Sequence, residues 1–148
     1  MSAADSATAL LAQHGLRQTP VRRAVLRAFL AKTYAQSSHD LEQGLDANTD
    51  RITLYRTLKT FEEKGVIHRV IDNTDILRYA LCSRECARHA HTDDHVHFKC
   101  SACLHTYCLN QVAIPAVALP GGFQATSREY LMTGVCQQCQ PGSTASVR

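Results

Sequence analysis

The sequence predicts an α+β fold: helices first, then a two-stranded hairpin, then a smaller strand-rich part held by cysteines. Three observations carry this. Amphipathic stripes at helical spacing fill the first 65 of 148 residues. Two β-prone runs, Val66–Ile71 and Ile76–Leu81, flank the turn-forming Asp72-Asn73-Thr74-Asp75. All seven cysteines lie beyond residue 81, and residues 82–108 hold five of them with five of the eight histidines.

A Ser/Ala-rich leader precedes a short helical segment carrying Ala9, Leu10 and Gln13, which Gly15 ends as a C-cap. Thr19-Pro20 is a helix start, a hydroxyl cap followed by proline at the first helical position. Val21, Val25, Ala28 and Phe29 then share a face, with Arg22, Arg23 and Arg27 elsewhere. A third helix begins at Ser37 or Ser38 and carries Leu41 and Leu45. The fourth runs from a Thr49 cap to Gly65, with Leu54, Leu58 and Phe61 as its apolar stripe. Arg56, Lys59 and Thr60 face outward, bordered by Tyr55 and Arg51. Helices followed by a hairpin is the order of a winged helix-turn-helix. A small helical domain with an ordinary hairpin has the same order, and then these arginines are merely solvated.

Beyond residue 81, His95–Cys100 alternates as a strand, and a turn at Cys100–Cys103 leads to a second strand over Leu104–Leu109. Val112–Leu119 suits a short helix, limited by Pro115 and Pro120. Strands are expected near Phe123–Ser127 and Glu129–Val135, before a frayed tail from Pro141.

Composition narrows the function. The net charge of +3 announces no strongly basic surface. No run approaches the ~18 apolar residues of a membrane helix, and no basic n-region precedes an apolar stretch, so a cytoplasmic protein with no membrane partner is expected. An odd cysteine count without a signal peptide argues for metal or redox chemistry over disulfides. Enzyme motifs are missing: no HExxH, no His-x-Glu with Pro-Cys-x-x-Cys, no Walker loop and no GxSxG elbow. The chain reads as a non-enzyme.

Two constellations carry metal chemistry. Cys100-x-x-Cys103 and Cys136-x-x-Cys139 each turn two thiols toward one point, as Zn–S bonds of ~2.3 Å require, and together make a closed four-cysteine zinc site. Redox pairs are the competing use. The second constellation is looser: Cys82, Cys86, His89, His91, Asp93, Asp94, His95, His97 and Cys108, with His68 and His39 upstream. His95-x-His97 places both imidazoles on one strand face, and Cys82 ends the hairpin, so a site using both ties the two parts together.

Thr19-Pro20-Val-Arg22, Asp50-Arg-Ile-Thr53-Leu-Tyr55-Arg56-Thr-Leu58, Gly65-Val-Ile-His68, His95-Val-His97-Phe-Lys-Cys100-x-x-Cys103 and Gly134-Val-Cys136-x-x-Cys139 occur in that order. Together they resemble the ferric uptake regulator (Fur) family of metal-dependent repressors, over residues 9–139. The resemblance implies a winged-helix DNA-binding domain (residues 1–81), a metal-rich hinge (82–94) and an α/β dimerisation domain (95–148). It implies a homodimer on an A/T-rich palindromic DNA operator. Thr53, Tyr55 and Arg56 match the recognition-helix motif, with Tyr55 on a base edge and Arg56 on a phosphate. Arg17 matches a basic position reaching toward the minor groove, and Arg22 joins the candidate DNA contacts. Cys100, Cys103, Cys136 and Cys139 match the structural zinc site.

For the regulatory site, His95 and His97 match the family's His-x-His ligands, and His68 and Cys82 share the interval of a wing ligand and hinge cysteine in zinc-responsive members. His39, Cys86, His89, His91 and Cys108 remain alternates. Cys108 stands where several members carry a carboxylate, Ala35 where an upstream His is expected, and Pro115 and Arg128 near a second site's positions. Soft thiolates favour Zn2+ over Fe2+. The expected protein is a zinc-dependent repressor of metal-uptake genes. The alternatives are an iron- or peroxide-responsive regulator of the same family, with Fe2+ as metal, or a zinc-stapled redox or interaction module that does not bind DNA.

Overall fold

The computed structural model describes residues 2–82, 95–126 and 128–142. Four helices come first: α1 (Ala3–Gln13), α2 (Pro20–Leu30), α3 (Ser38–Gly44) and α4 (Arg51–Glu63). Strands β1 (Gln36–Ser37), β2 (Ile67–Val70) and β3 (Arg78–Leu81) form an antiparallel sheet in the order β1-β3-β2. A second sheet holds β4 (Val96–Cys100), β5 (Thr106–Leu109) and β6 (Tyr130–Gly134) in the order β5-β4-β6, with β6 parallel to β4. A 3-10 turn, Gln137–Cys139, closes the described chain.

The helices form where capping and apolar spacing agree. Thr19 accepts a hydrogen bond from the Arg22 amide at 3.3 Å, with Pro20 in the first turn. At the start of α4 the cap is Asp50, not Thr49: its carboxylate accepts from the Thr53 amide at 2.9 Å and the Thr53 hydroxyl at 2.7 Å. Aspartate accepts more strongly than a neutral hydroxyl and complements the positive end of the helix. The Ser/Ala-rich leader is itself helical, because Ser2 and Asp5 make a reciprocal capping box. Gly65, at φ 70°, follows the C-cap of α4 in the left-handed region that turns the chain into β2.

Leu11, Val25, Leu26, Phe29, Leu41, Leu54, Leu58 and Phe61 form the core between the helices, closed below by Ile67 and Tyr79. The stripe expected on α4 is therefore the buried one, which leaves Tyr55 and Arg56 on the outer face. Two expectations fail further on. Residues 112–119 form no helix and residues 123–126 no strand. Pro115 and Pro120 remove amide donors there, and Val112, Val117, Leu119 and Phe123 are all exposed, so the segment has no apolar face buried to stabilise a helix.

Candidate metal centres

The four cysteines meet where the β4–β5 turn faces the end of β6. Cys100 closes β4, Cys103 follows in the turn, and Cys136 and Cys139 bracket the 3-10 turn. Their sulfurs all lie within 4.8 Å of one another. Cys103 Sγ and Cys136 Sγ are 3.9 Å apart, against about 3.8 Å for the edge of a tetrahedral zinc–thiolate site. Leu104 completes the turn at φ 65°, donating its amide to the Cys100 carbonyl at 3.0 Å.

Electrostatics there call for a cation. Burial raises the Cys100 thiol, but amides of Cys103, Cys136 and Ala102 outweigh it and bring it down to about 6. The Cys136 thiol is also lowered: burial opposes ionisation, and the Tyr107 hydroxyl, donating at 3.8 Å, favours it. The cost falls on a third sulfur. Cys139 is pushed up to about 12, chiefly by its contact with Cys136. Four thiolates cannot accumulate at one point unless a dication neutralises them.

A second cluster joins the two sheets. His68 comes from β2, His95 from the residue just before β4, His97 from β4, and Cys108 from β5 opposite His97. One ligand atom from each lies within 4.8 Å of the others, and all three histidines are buried. His95 Nε2 and His97 Nε2 are 2.9 Å apart, their rings nearly perpendicular at 86°. Cys108 Sγ is 3.5 Å from His68 Nε2, against about 3.6 Å for the mixed edge of a tetrahedral zinc site. Burial, then the neighbouring His95, lowers His68 to about 4. It is neutral at ordinary pH, the form that ligates metal.

Cys82 sits on the other side of the same ring, its Sγ 3.6 Å from His68 Nδ1. The cluster thus brings together His68, His95, His97 and Cys108, with Cys82 behind His68. Sequence reasoning placed Cys82 in this group and Cys108 among the alternates. The signal favouring Cys108 was its cross-strand position: β4 and β5 form one hairpin, so a residue paired with His97 shares its face. His39 is exposed on α3, its Nε2 3.1 Å from Gln43 Nε2. Cys86, His89 and His91 lie outside the described residues.

The candidate DNA face is α4. Tyr55 is 55% exposed and Arg56 is exposed beside it. Thr53 spends its hydroxyl on Asp50, so its part in any contact is to fix the start of the helix. Arg17 is exposed, and its carbonyl accepts from Arg22 Nη1 at 3.1 Å. Among the described residues no helix is long and apolar enough to cross a membrane.

Comparison with known proteins bears on the family and the fold. The peroxide-responsive repressor PerR of Staphylococcus aureus (strain Mu50 / ATCC 700699) is 24% identical over 144 residues, 92% of this chain and 90% of its own. A zinc-bound manganese uptake regulator shares the fold at TM-score 0.60 and 21% identity, covering 91% of this chain and 99% of its own. The ferric uptake regulator of Francisella tularensis with iron does so at TM-score 0.56 and 23% identity, covering 84% and 95%. The sequence model of the ferric uptake regulator family matches residues 13–117, which is most of the chain. The chain therefore belongs to the ferric uptake regulator family of metal-responsive, DNA-binding transcriptional regulators.

Proposed function

We propose that this regulator is a zinc-dependent repressor of metal-uptake genes that binds an A/T-rich palindromic operator as a homodimer. The observation that carries the choice of metal is the donor set of three buried imidazoles and one thiol, drawn from both sheets. Imidazole accepts zinc and iron alike, whereas thiolate is soft and favours zinc. His68, His95, His97 and Cys108 would hold the regulatory ion, and Cys82 would accept a hydrogen bond from His68 Nδ1, fixing the ring. Zinc at Cys100, Cys103, Cys136 and Cys139 would be structural.

The mechanism follows from the placement of the ligands. His68 belongs to the wing hairpin and the other three to the second sheet, so an ion bound by all four favours one arrangement of the sheets. In a dimer of a winged-helix unit (1–81), a hinge (82–94) and a dimerisation unit (95–148), that arrangement sets the separation of the two α4 helices. They must reach major grooves one helical turn apart, about 34 Å. Tyr55 would read a base edge and Arg56 a phosphate, with Arg17 and Arg22 adding backbone contacts. The exposed Val112, Val117, Leu119, Phe123 and Met132 are apolar surface that a second copy would cover.

The test is operator binding measured against free zinc, iron and manganese, with His97→Ala alongside. Zinc should stimulate binding at far lower free concentration than the other two, and His97→Ala should lose the stimulation. Equal response to all three metals would refute the zinc assignment. An ion-independent response would refute the site.

A further inference from the structure

The metal cluster is not the sole junction between the sheets among the described residues. Another is built on Asp72, in the turn after β2. Its side chain is 1% exposed, and its Oδ2 accepts from Lys99 Nζ at 2.9 Å, Thr106 Oγ1 at 2.8 Å and Arg78 Nη1 at 2.9 Å. Oδ1 accepts from the amide and hydroxyl of Thr74, within the turn itself. Lys99 lies on β4 and Thr106 on β5, 27 and 34 positions along the chain. Thr106 is fully buried, and its carbonyl accepts from the Ala35 amide at 2.8 Å. One residue of the second sheet is thus gripped from two segments that flank strands of the first.

The register makes this more than a neighbouring contact. His97 pairs with Cys108 and Lys99 with Thr106, adjacent cross-strand pairs on one face of the β4–β5 hairpin. The first pair meets His68 and the second meets Asp72 four residues later. One face therefore carries a metal-binding pair and a charge-binding pair about 7 Å apart. The charge-binding pair needs no metal to make its contacts.

We propose that Asp72, with Lys99 and Thr106, is a metal-independent latch that preforms the His68–His95–His97–Cys108 pocket, making Asp72 a positioning residue for the regulatory ion. This rests on reading that cluster as the regulatory site. Removing the carboxylate charge leaves Lys99, whose side chain is 11% exposed, without its anion in the closed arrangement, whereas opening returns it to water. The population therefore shifts toward open. Apparent metal affinity falls in proportion to the closed share, so a 10- to 100-fold drop in that share below the parent's weakens binding about 10- to 100-fold.

The experiment uses the full chain with its cysteine-cluster zinc in place. Asp72→Asn, Lys99→Met and Thr106→Val are each compared with the parent by small-angle scattering without a second metal and by zinc titration against a chelator. The last two leave the wing turn intact, so agreement among all three excludes a defect local to that turn. The expected result is expansion of the proteins lacking the second zinc, reversed by added zinc, with affinity weakened about 10- to 100-fold for Asp72→Asn. His97→Ala, run in parallel, tests the underlying site assignment. If His97→Ala loses the second zinc while the three latch variants bind it like the parent, the latch is overturned. If His97→Ala binds the second zinc normally, the site reading fails.

Discussion

Two thiols flank His68, and which one ligates the regulatory ion is decided by a pair of substitutions. Cys108 Sγ lies 3.5 Å from His68 Nε2, the nitrogen facing His95 and His97, and Cys82 Sγ lies 3.6 Å from Nδ1 on the far side. An imidazole presents one nitrogen to a metal and uses the other to orient its ring. Cys108→Ala therefore removes one of four ligands, and Cys82→Ala removes a group that orients one. Spreading the ~10–16 kcal/mol of a four-ligand zinc site evenly gives about 2.5–4 kcal/mol per ligand, roughly 70- to 900-fold in affinity. Loss of a ring-orienting partner costs about 10- to 100-fold.

Cobalt titration makes the distinction visible, because thiolate ligation adds a near-ultraviolet charge-transfer band. With the cysteine cluster already filled by zinc, cobalt entering the second site should show that band in the parent and in Cys82→Ala. It should be missing in Cys108→Ala. Chelator competition then supplies the two affinities. If Cys82→Ala loses the band and Cys108→Ala keeps it, the ligand order deduced from the geometry is reversed. If neither substitution changes cobalt or zinc affinity, this cluster does not bind the ion.

The other predictions concern folding, DNA and pH. Cys136→Ser should lose the cysteine-cluster zinc, and with it the dimer or the solubility of the second unit, as read by metal content and sedimentation. Arg56→Ala should weaken binding to every DNA sequence and flatten the salt dependence by about one unit, while Tyr55→Ala should cost about 1–3 kcal/mol at one base pair. Because burial lowers His68 from its ordinary value to about 4, protein lacking the second ion should be fully stabilised above pH ~6.5 and lose up to about 3 kcal/mol as pH falls toward 4. Thermal unfolding across that range should show the slope, and His68→Gln should remove it. Asp72 acts lower. Burial raises its carboxyl, but bonds from Thr74, Lys99 and Thr106 and the Arg78 charge hold it well below the usual carboxylate range. Its contribution is present above the unfolded value near 3.9 and is lost only at still lower pH.

Much of this was legible in the sequence because the signals were local or periodic. The α4 stripe, the Thr19-Pro20 start and the paired CxxC turns each fix geometry within a few residues. The same locality explains what was not legible. Asp72 reads as an ordinary turn residue, and nothing near it announces Lys99 and Thr106 as partners. Cys108 gains weight only once β5 is registered against β4, which places it beside His97 and not merely five residues after a CxxC. Strand β1 has two residues and exists because β3 offers it an edge. The segment 112–119 has helix-like apolar spacing, but in one chain that surface stays exposed, and Tyr130 instead donates its hydroxyl to the Pro115 carbonyl at 3.3 Å.

The latch and the metal site bear on the same equilibrium, and that limits how strong the latch can usefully be. An ion can increase operator affinity only by the factor by which it raises the closed population. If Asp72 kept the sheets fully closed, zinc would bind tightly yet change nothing at the DNA. If it contributed nothing, zinc would have to supply the whole cost of closure, and its apparent affinity would drop by the closed fraction. A switch with the usual coupling of 1–3 kcal/mol needs a closed share, without the ion, of about 1–20%. Weakening the latch must therefore trade one property for the other. Asp72→Asn should need more zinc to reach half-maximal operator binding, and should show a larger ratio between zinc-saturated and zinc-free binding. A variant that loses zinc affinity with no gain in that ratio would show that Asp72 tunes the pocket alone and leaves the arrangement of the sheets untouched.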